Sequence, residues 1–248
     1  QSLIPALNMR LSSPAMLVDI NHVSELRGIS DAGRVVRIGA MTRHHELATS
    51  AVVALRLPLI AKAVPHIAHQ AIRNRGTIGG SLALADPSTE LPACCLALDA
   101  TIVAMSRKGE RRIAARDFFL GIYETALAPD EVLVAVECPL PAADSVFGFD
   151  ELARRHGDYA IVGLAAQGVR TDRTWSSLKL VFFGAGDRPL LAEAAAQAVV
   201  SGKGIAAAQS ALEEALSPSD DGECSAKAKM HLARVLLGRV VAAMESET

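Results

Sequence analysis

The hydrophobic pattern of the chain changes period several times, and each change marks an expected element. Short runs rich in β-branched residues predict strands over 17–20 and 35–40. Residues 44–50 read as a short helix opened by Thr42, and Pro58 stands where a helix over 58–68 would begin. From 73 to 81 the sequence is polar, glycine-rich and too irregular for a helix. Asp86, Pro87 and Ser88 then supply a turn and a start for an apolar helix over 91–98. Strands are expected at 101–106 and 132–138; in the second, Val132, Val134, Val136 and Cys138 share one face at a period of two. Pro139 and Pro141 interrupt any regular element and put a boundary near residue 142. Beyond it, apolar strands are predicted over 160–169 and 178–184, then helices over 189–200, 205–216 and 226–244. Met230, Ala233, Leu237, Val240 and Met244 recur at spacings of three and four, a core-facing stripe on the last helix. A polar, acidic loop covers 217–222. The pattern is α+β in two parts, residues 1–142 and 143–248.

Composition narrows the classes. The chain has 248 residues, 50% of them hydrophobic, so a sizeable core needs no disulfide or metal staple. A net charge of −2, a pI of about 6.4 and no long basic run argue against a nucleic-acid partner. No apolar stretch approaches the roughly 20 residues of a membrane span. Gln1-Ser2-Leu3-Ile4-Pro5 lacks the basic and apolar regions of a secretory signal. Cys94, Cys95, Cys138 and Cys224 show no metal-ligand spacing and read as reduced, buried thiols of a cytoplasmic protein, with no metal site in this chain.

The glycine-rich stretch carries the most chemistry. Gly76, Gly79 and Gly80 permit positive φ and close approach of main-chain N–H groups, which in sequence would form an anion-binding nest. Thr77 and Ser81 add hydroxyls; Arg73 and Arg75 add positive charge. The same stretch reads equally well as a turn with two solvated arginines. Neither a P-loop nor a GxGxxG motif is present, since Gly184-Ala185-Gly186 runs into Pro189.

Arg73 through Ala83, continuing through Ala85-Asp86-Pro87 to Glu90-Leu91-Pro92, resembles the signature of the FAD-binding middle subunit of the xanthine dehydrogenase and carbon monoxide dehydrogenase family of molybdenum hydroxylases. Four other segments resemble that family in order: 1–11, Gly39 to His44, Ala153 to Ala160, and Phe183 to Pro189. The resemblance implies a two-lobed FAD-binding domain of the vanillyl-alcohol-oxidase (PCMH) type over 1–142, then a C-terminal α+β domain of the carbon monoxide dehydrogenase flavoprotein type over 143–248. It also implies a role. FAD in this chain would take electrons from [2Fe–2S] clusters in a small subunit, after substrate hydroxylation at a molybdopterin cofactor in a large one. An external acceptor would then receive them, within a dimer of heterotrimers.

Carried over by position, Thr77, Ile78, Gly79, Gly80 and Ser81 match the family's second pyrophosphate loop. Gln1 and Ser2 match the last two positions of its first loop, which would lie immediately before them. Glu90 falls at an acidic cofactor contact, Ile67 and Leu133 at apolar positions against the flavin or adenine, and Tyr159 at an aromatic beside the isoalloxazine. No side chain is implied as a catalytic group, since the flavin carries the chemistry. A stand-alone flavin oxidoreductase of the same fold, or a scaffold that has lost FAD, are the other readings. Away from these motifs, His44, His45 and Glu46 read as solvated or capping residues. His66 and His69 read as structural, and Trp175 as a cover on a strand edge in a polar turn.

Overall fold

A computed structural model describes residues 1–247. Eleven strands are present among them: β1 (Ile29–Asp31), β2 (Val35–Gly39), β3 (Thr101–Ser106), β4 (Gly109–Ala114), β5 (Phe119–Gly121), β6 (Glu124–Thr125), β7 (Val132–Pro139), β8 (Ser145–Leu152), β9 (Val162–Thr171), β10 (Thr174–Phe183) and β11 (Leu190–Leu191). The helices are α1 (Leu3–Asn8), α2 (His44–Thr49), α3 (Ala51–Arg56), α4 (Pro58–Ala63), α5 (Gln70–Arg73), α6 (Ile78–Leu84), α7 (Glu90–Ala97), α8 (Ala115–Phe118), α9 (Glu193–Val200), α10 (Ile205–Ala211) and α11 (Ala226–Ser246).

The first sheet has the order β1-β2-β7-β3-β4, antiparallel throughout. Its central strand departs from the simple alternation expected of it. Ala135 pairs with Val103 but Leu133 pairs with Ala104, so Val134 is an extra residue, and its carbonyl accepts from Ala40 N–H at 3.0 Å. A one-residue bulge reverses the side-chain phase. Leu133 therefore joins Val136 and Cys138 in the core, while Val132 is turned out to 47% exposure.

The second sheet, β11-β10-β9-β8, is buried on both faces. Val146, Leu164, Leu180 and Phe182 lie on the face covered by α9 and α11, with α10 packed against those two helices. The alternate residues Phe147, Ala165, Val181 and Phe183 join the core of the first half and meet α4 and α7. This double burial makes β9 and β10 read as continuous apolar runs. The stripe expected on the last helix is largely borne out: Ala233, Leu237, Val240 and Met244 are buried, and Met230 packs at the edge.

Several expectations are corrected. Residues 17–20 form no strand; Leu17 and Val18 are exposed, and among the described residues no strand pairs with them. Ser145–Leu152 is a strand the pattern did not suggest. Trp175 lies inside β10, 7% exposed, with Nε1 donating to Glu245 at 3.1 Å and the Arg170 guanidinium over its ring. The turn is instead Asp172-Arg173, both at positive φ, as a tight hairpin requires. Residues 190–191 pair as a strand, so the helix expected from 189 starts at Glu193. Cys94, Cys95 and Cys138 are buried free thiols, but Cys224 is only half-buried. No described helix is long and apolar enough to cross a membrane.

Candidate functional site

The glycine turn is built where two short helices meet. α5 closes as Gly76 N–H donates to the Ile72 carbonyl at 2.8 Å. Thr77 is then extended, and its hydroxyl accepts from Gly80 N–H at 3.1 Å, capping α6. That cap carries Gly79, Gly80 and Ser81 into a helix, against the expectation of an irregular stretch. Gly76, Gly79 and Gly80 do not have positive φ. Proximity demands glycine here. A Cβ on Gly79 would stand 2.6 Å from Ala40 Cβ and 2.7 Å from its carbonyl oxygen; one on Gly76 would meet the His44 ring at 2.9 Å.

The nest of free N–H groups is corrected as well. Ile78 donates to Thr42 carbonyl at 3.1 Å, Gly79 to Ala40 carbonyl at 2.8 Å, and Ser81 to Thr77 carbonyl at 3.0 Å. The first two fasten α6 to the segment that follows β2, and the third belongs to the helix's own first turn. What the turn exposes is the bare Gly80, with Thr77 and Ser81 half-buried beside it. Arg73 is committed too, donating to the carbonyls of Ile67 at 2.8 Å and Ala68 at 2.7 Å. Arg43 ties Arg75 carbonyl to Asn21 Oδ1, leaving the Arg75 side chain exposed.

His44, read from sequence as solvated or capping, is buried behind this turn. Its Nε2 lies 3.1 Å from Ser81 Oγ, and Nδ1 is buried without a partner. Burial pushes its pKa down to about 4, so the ring is neutral near pH 7. The positive charges of Arg73 and Arg43 add to that depression. Glu46 does cap, accepting from Arg43 N–H at 2.7 Å.

A second group gathers at the start of α7. Ala85 ends α6 in the left-handed region, and Asp86 accepts from Ser88 N–H at 2.9 Å to turn the chain into α7. Tyr123, at the tip of the β5–β6 hairpin, donates its hydroxyl to Asp86 Oδ2 at 3.3 Å. Tyr159 is 63% exposed, and its phenol is raised by partial burial and by the charges of Asp86 and Glu90. Glu90, first residue of α7, is 7% exposed; burial, reinforced by Glu151, pushes its pKa up to about 8. Behind it, His66 Nδ1 lies 3.4 Å from Glu151 Oε1. Three non-glycine residues here hold positive φ, Ala68, Ala85 and Tyr123. Such conformations cost about 1 kcal/mol or more each and gather at preorganised sites.

The structure thus brings Thr77, Ile78, Gly79, Gly80 and Ser81 into one turn, and Glu90 and Tyr159 into one acidic, aromatic group. Ile67 and Leu133 sit at 8% and 5% exposure in the core of the first half. Gln1 and Ser2 are exposed ahead of α1. Sequence reasoning missed Tyr123, the His66–Glu151 pair and the buried His44. A tyrosine in the hairpin tip following Gly121-Ile122 was the available signal for the first; the others depend on long-range packing.

Residues 1–141 match the family described as the FAD binding domain in molybdopterin dehydrogenase. Residues 147–244 match the carbon monoxide dehydrogenase flavoprotein C-terminal domain. The chain is 40% identical over 248 residues to the 6-hydroxypseudooxynicotine dehydrogenase complex subunit alpha of Paenarthrobacter nicotinovorans, covering 98% of this chain and 83% of that protein. It is 35% identical to the carbon monoxide dehydrogenase medium chain of Afipia carboxidovorans, covering 97% and 85%. Among solved structures, quinoline 2-oxidoreductase from Pseudomonas putida 86 superposes with a TM-score of 0.95 at 38% identity, covering 100% of this chain and 87% of that one.

Proposed function

Because this chain belongs to the family of FAD-binding medium subunits of molybdenum-containing dehydrogenases, we propose that it relays electrons through FAD inside a multi-subunit hydroxylase. Substrate is oxidised at a molybdopterin cofactor in a large subunit. Electrons pass through [2Fe–2S] clusters of a small subunit to FAD here, and leave to an external acceptor. The assembly is a cytoplasmic dimer of heterotrimers, and the flavin domain ends near residue 142.

The residues present fit the group. Thr77, Ile78, Gly79, Gly80 and Ser81 would take the pyrophosphate, with Gln1 and Ser2 finishing the other loop. The inner amides being used up, the turn offers two hydroxyls and the close approach that only a side-chain-free Gly80 allows. Ile67 and Leu133 would supply apolar contact, and the Tyr159 ring would pack beside the isoalloxazine. Glu90, its pKa raised to about 8 by burial, would present a hydroxyl donor to the cofactor rather than a charge near pH 7. Bound FAD supplies the conversion between electron pairs and single electrons.

The observation that carries this reading is the family match over 1–141, whose signature segment folds here into one close-packed turn. The experiment is flavin, iron and molybdenum analysis of the complex isolated with this chain from its native host. All three together are expected. FAD on a solitary chain that turns over alone would instead make it an independent oxidoreductase.

A further inference from the structure

The loop 153–160 links β8 to β9 and carries Tyr159. Ile161 N–H donates to the Leu152 carbonyl at 2.8 Å and ties its base; Asp158 N–H donates to the Arg155 carbonyl at 3.1 Å and closes its crest. That crest rests on the turn 65–69 through two contacts. The His156 ring stacks on His66, with centroids 6.1 Å apart and planes 26° from parallel. Gly157 has φ +88, and a Cβ on it would stand 3.0 Å from the His69 ring and 3.1 Å from the Ala68 carbonyl carbon. Its backbone therefore comes down to a distance that only glycine permits.

The turn beneath is braced. Arg73 donates to the carbonyls of Ile67 at 2.8 Å and Ala68 at 2.7 Å. Ala68 keeps φ +43, which a non-glycine residue holds only where its surroundings fix it. The half-buried His66 is gripped by two residues of β8: Nδ1 lies 3.4 Å from Glu151 Oε1, and the ring packs against Phe149 at 5.0 Å. Tyr159 has no such support, being 63% exposed, so its place comes from the loop rather than from packing of its own ring. Arg154, Arg155 and His156 are exposed too. The seating buries little surface, and what it fixes is position.

We propose that the turn 65–69 is the seat of the Tyr159 loop, and that His66 and His69, braced by Arg73, are positioning residues that set where the Tyr159 ring stands. The proposal rests on the reading that FAD lies beside Tyr159. Arg73 ends α5, which runs directly into the glycine turn, so the two ends of the cofactor site share one support.

The test is hydrogen exchange of the amides of 154–160 in the intact complex, with FAD content and the rate of flavin reoxidation measured in each variant. His156→Ala removes only an exposed ring; His66→Asn removes the other ring and keeps a donor for Glu151. Each should speed exchange by about threefold or more, the worth of a ring pair. The double variant should match the larger single effect, because both remove one contact. His69→Ala, which empties the space under Gly157, should loosen the same amides. All three should change the reoxidation rate at wild-type FAD content, and none should change it further in a Tyr159→Ala background. Unchanged exchange in His156→Ala or His69→Ala, or additive effects in the double variant, overturns the seat. Faster exchange with unaltered reoxidation, or the same rate change without Tyr159, overturns the positioning role. Should His66→Asn fail to fold, the other two single variants decide. A wild-type complex without FAD would refute the cofactor reading instead, and the exchange rates would still judge the seat.

Discussion

The two neighbouring glycines of the turn should respond to the same substitution in opposite ways. Alanine at 79 places a Cβ 2.6 Å from Ala40 Cβ and 2.7 Å from Ala40 carbonyl oxygen, in a wall of backbone that cannot rotate aside. Relief requires α6 to back away from β2, which overpacking data put at about 1–3 kcal/mol. The same movement breaks the Gly79 N–H to Ala40 carbonyl bond of 2.8 Å, worth about 1 kcal/mol. The total loss is about 3 kcal/mol. Alanine at 80 meets only the Thr77 hydroxyl, at 2.8 Å. Displacing that hydroxyl costs a cap of about 1 kcal/mol, offset by a helix-propensity gain of up to about 1 kcal/mol. Gly80→Ala should therefore unfold in urea within about 0.5 kcal/mol of wild type, yet weaken FAD binding by covering the exposed face. Urea denaturation of the free chain and a fluorescence titration with FAD separate the two. Equal destabilisation by both substitutions, or Gly79→Ala as stable as wild type, would refute the packing argument. Undiminished FAD affinity in Gly80→Ala would refute the role given to the bare face.

Two further outcomes follow from the second group. The native Glu90 carboxyl keeps its proton up to about pH 8 while the unfolded chain releases it near 4.5. Its favourable contribution is thus present at low pH, is lost as pH rises through that window, and is flat above it. Between pH 5 and 8 wild type should lose on the order of 3 kcal/mol relative to Glu90→Gln; parallel stability curves would show that Glu90 is ionised in the fold. Tyr159→Ala removes a ring that is 63% exposed, so stability should hold within about 0.5 kcal/mol while reoxidation of reduced flavin in the complex changes rate. A stability loss with unchanged reoxidation would make the residue an anchor.

Much of the second half was legible because its signals are local. The stripe on α11 fixes a face by spacing alone, and 178–184 was long and apolar enough to read as a strand. The failures are where one residue's partner is distant in sequence. The Val134 bulge reverses the face of Leu133 with no residue type to announce it. Thr77, a cap, was read as a hydroxyl donor beside a nest, because the acceptors for the next amides, Ala40 and Thr42, lie on another element. His44 looked like a surface residue until Gly76 and Ser81 were folded over it. The pair His66–Glu151 spans 85 positions of chain, beyond any local pattern.

The second sheet's double burial bears on how the protein can be handled and how it can evolve. Two separate family models cover the chain, which suggests two interchangeable modules. Yet Phe147, Ala165, Val181 and Phe183 belong to the core of the first half. Produced alone, the C-terminal piece would offer that row to its own copies and aggregate, and the N-terminal piece would have a hollow against α4 and α7. The two pieces should therefore melt as one cooperative unit, and grafting a foreign C-terminal half would succeed only if it brought the same four knobs.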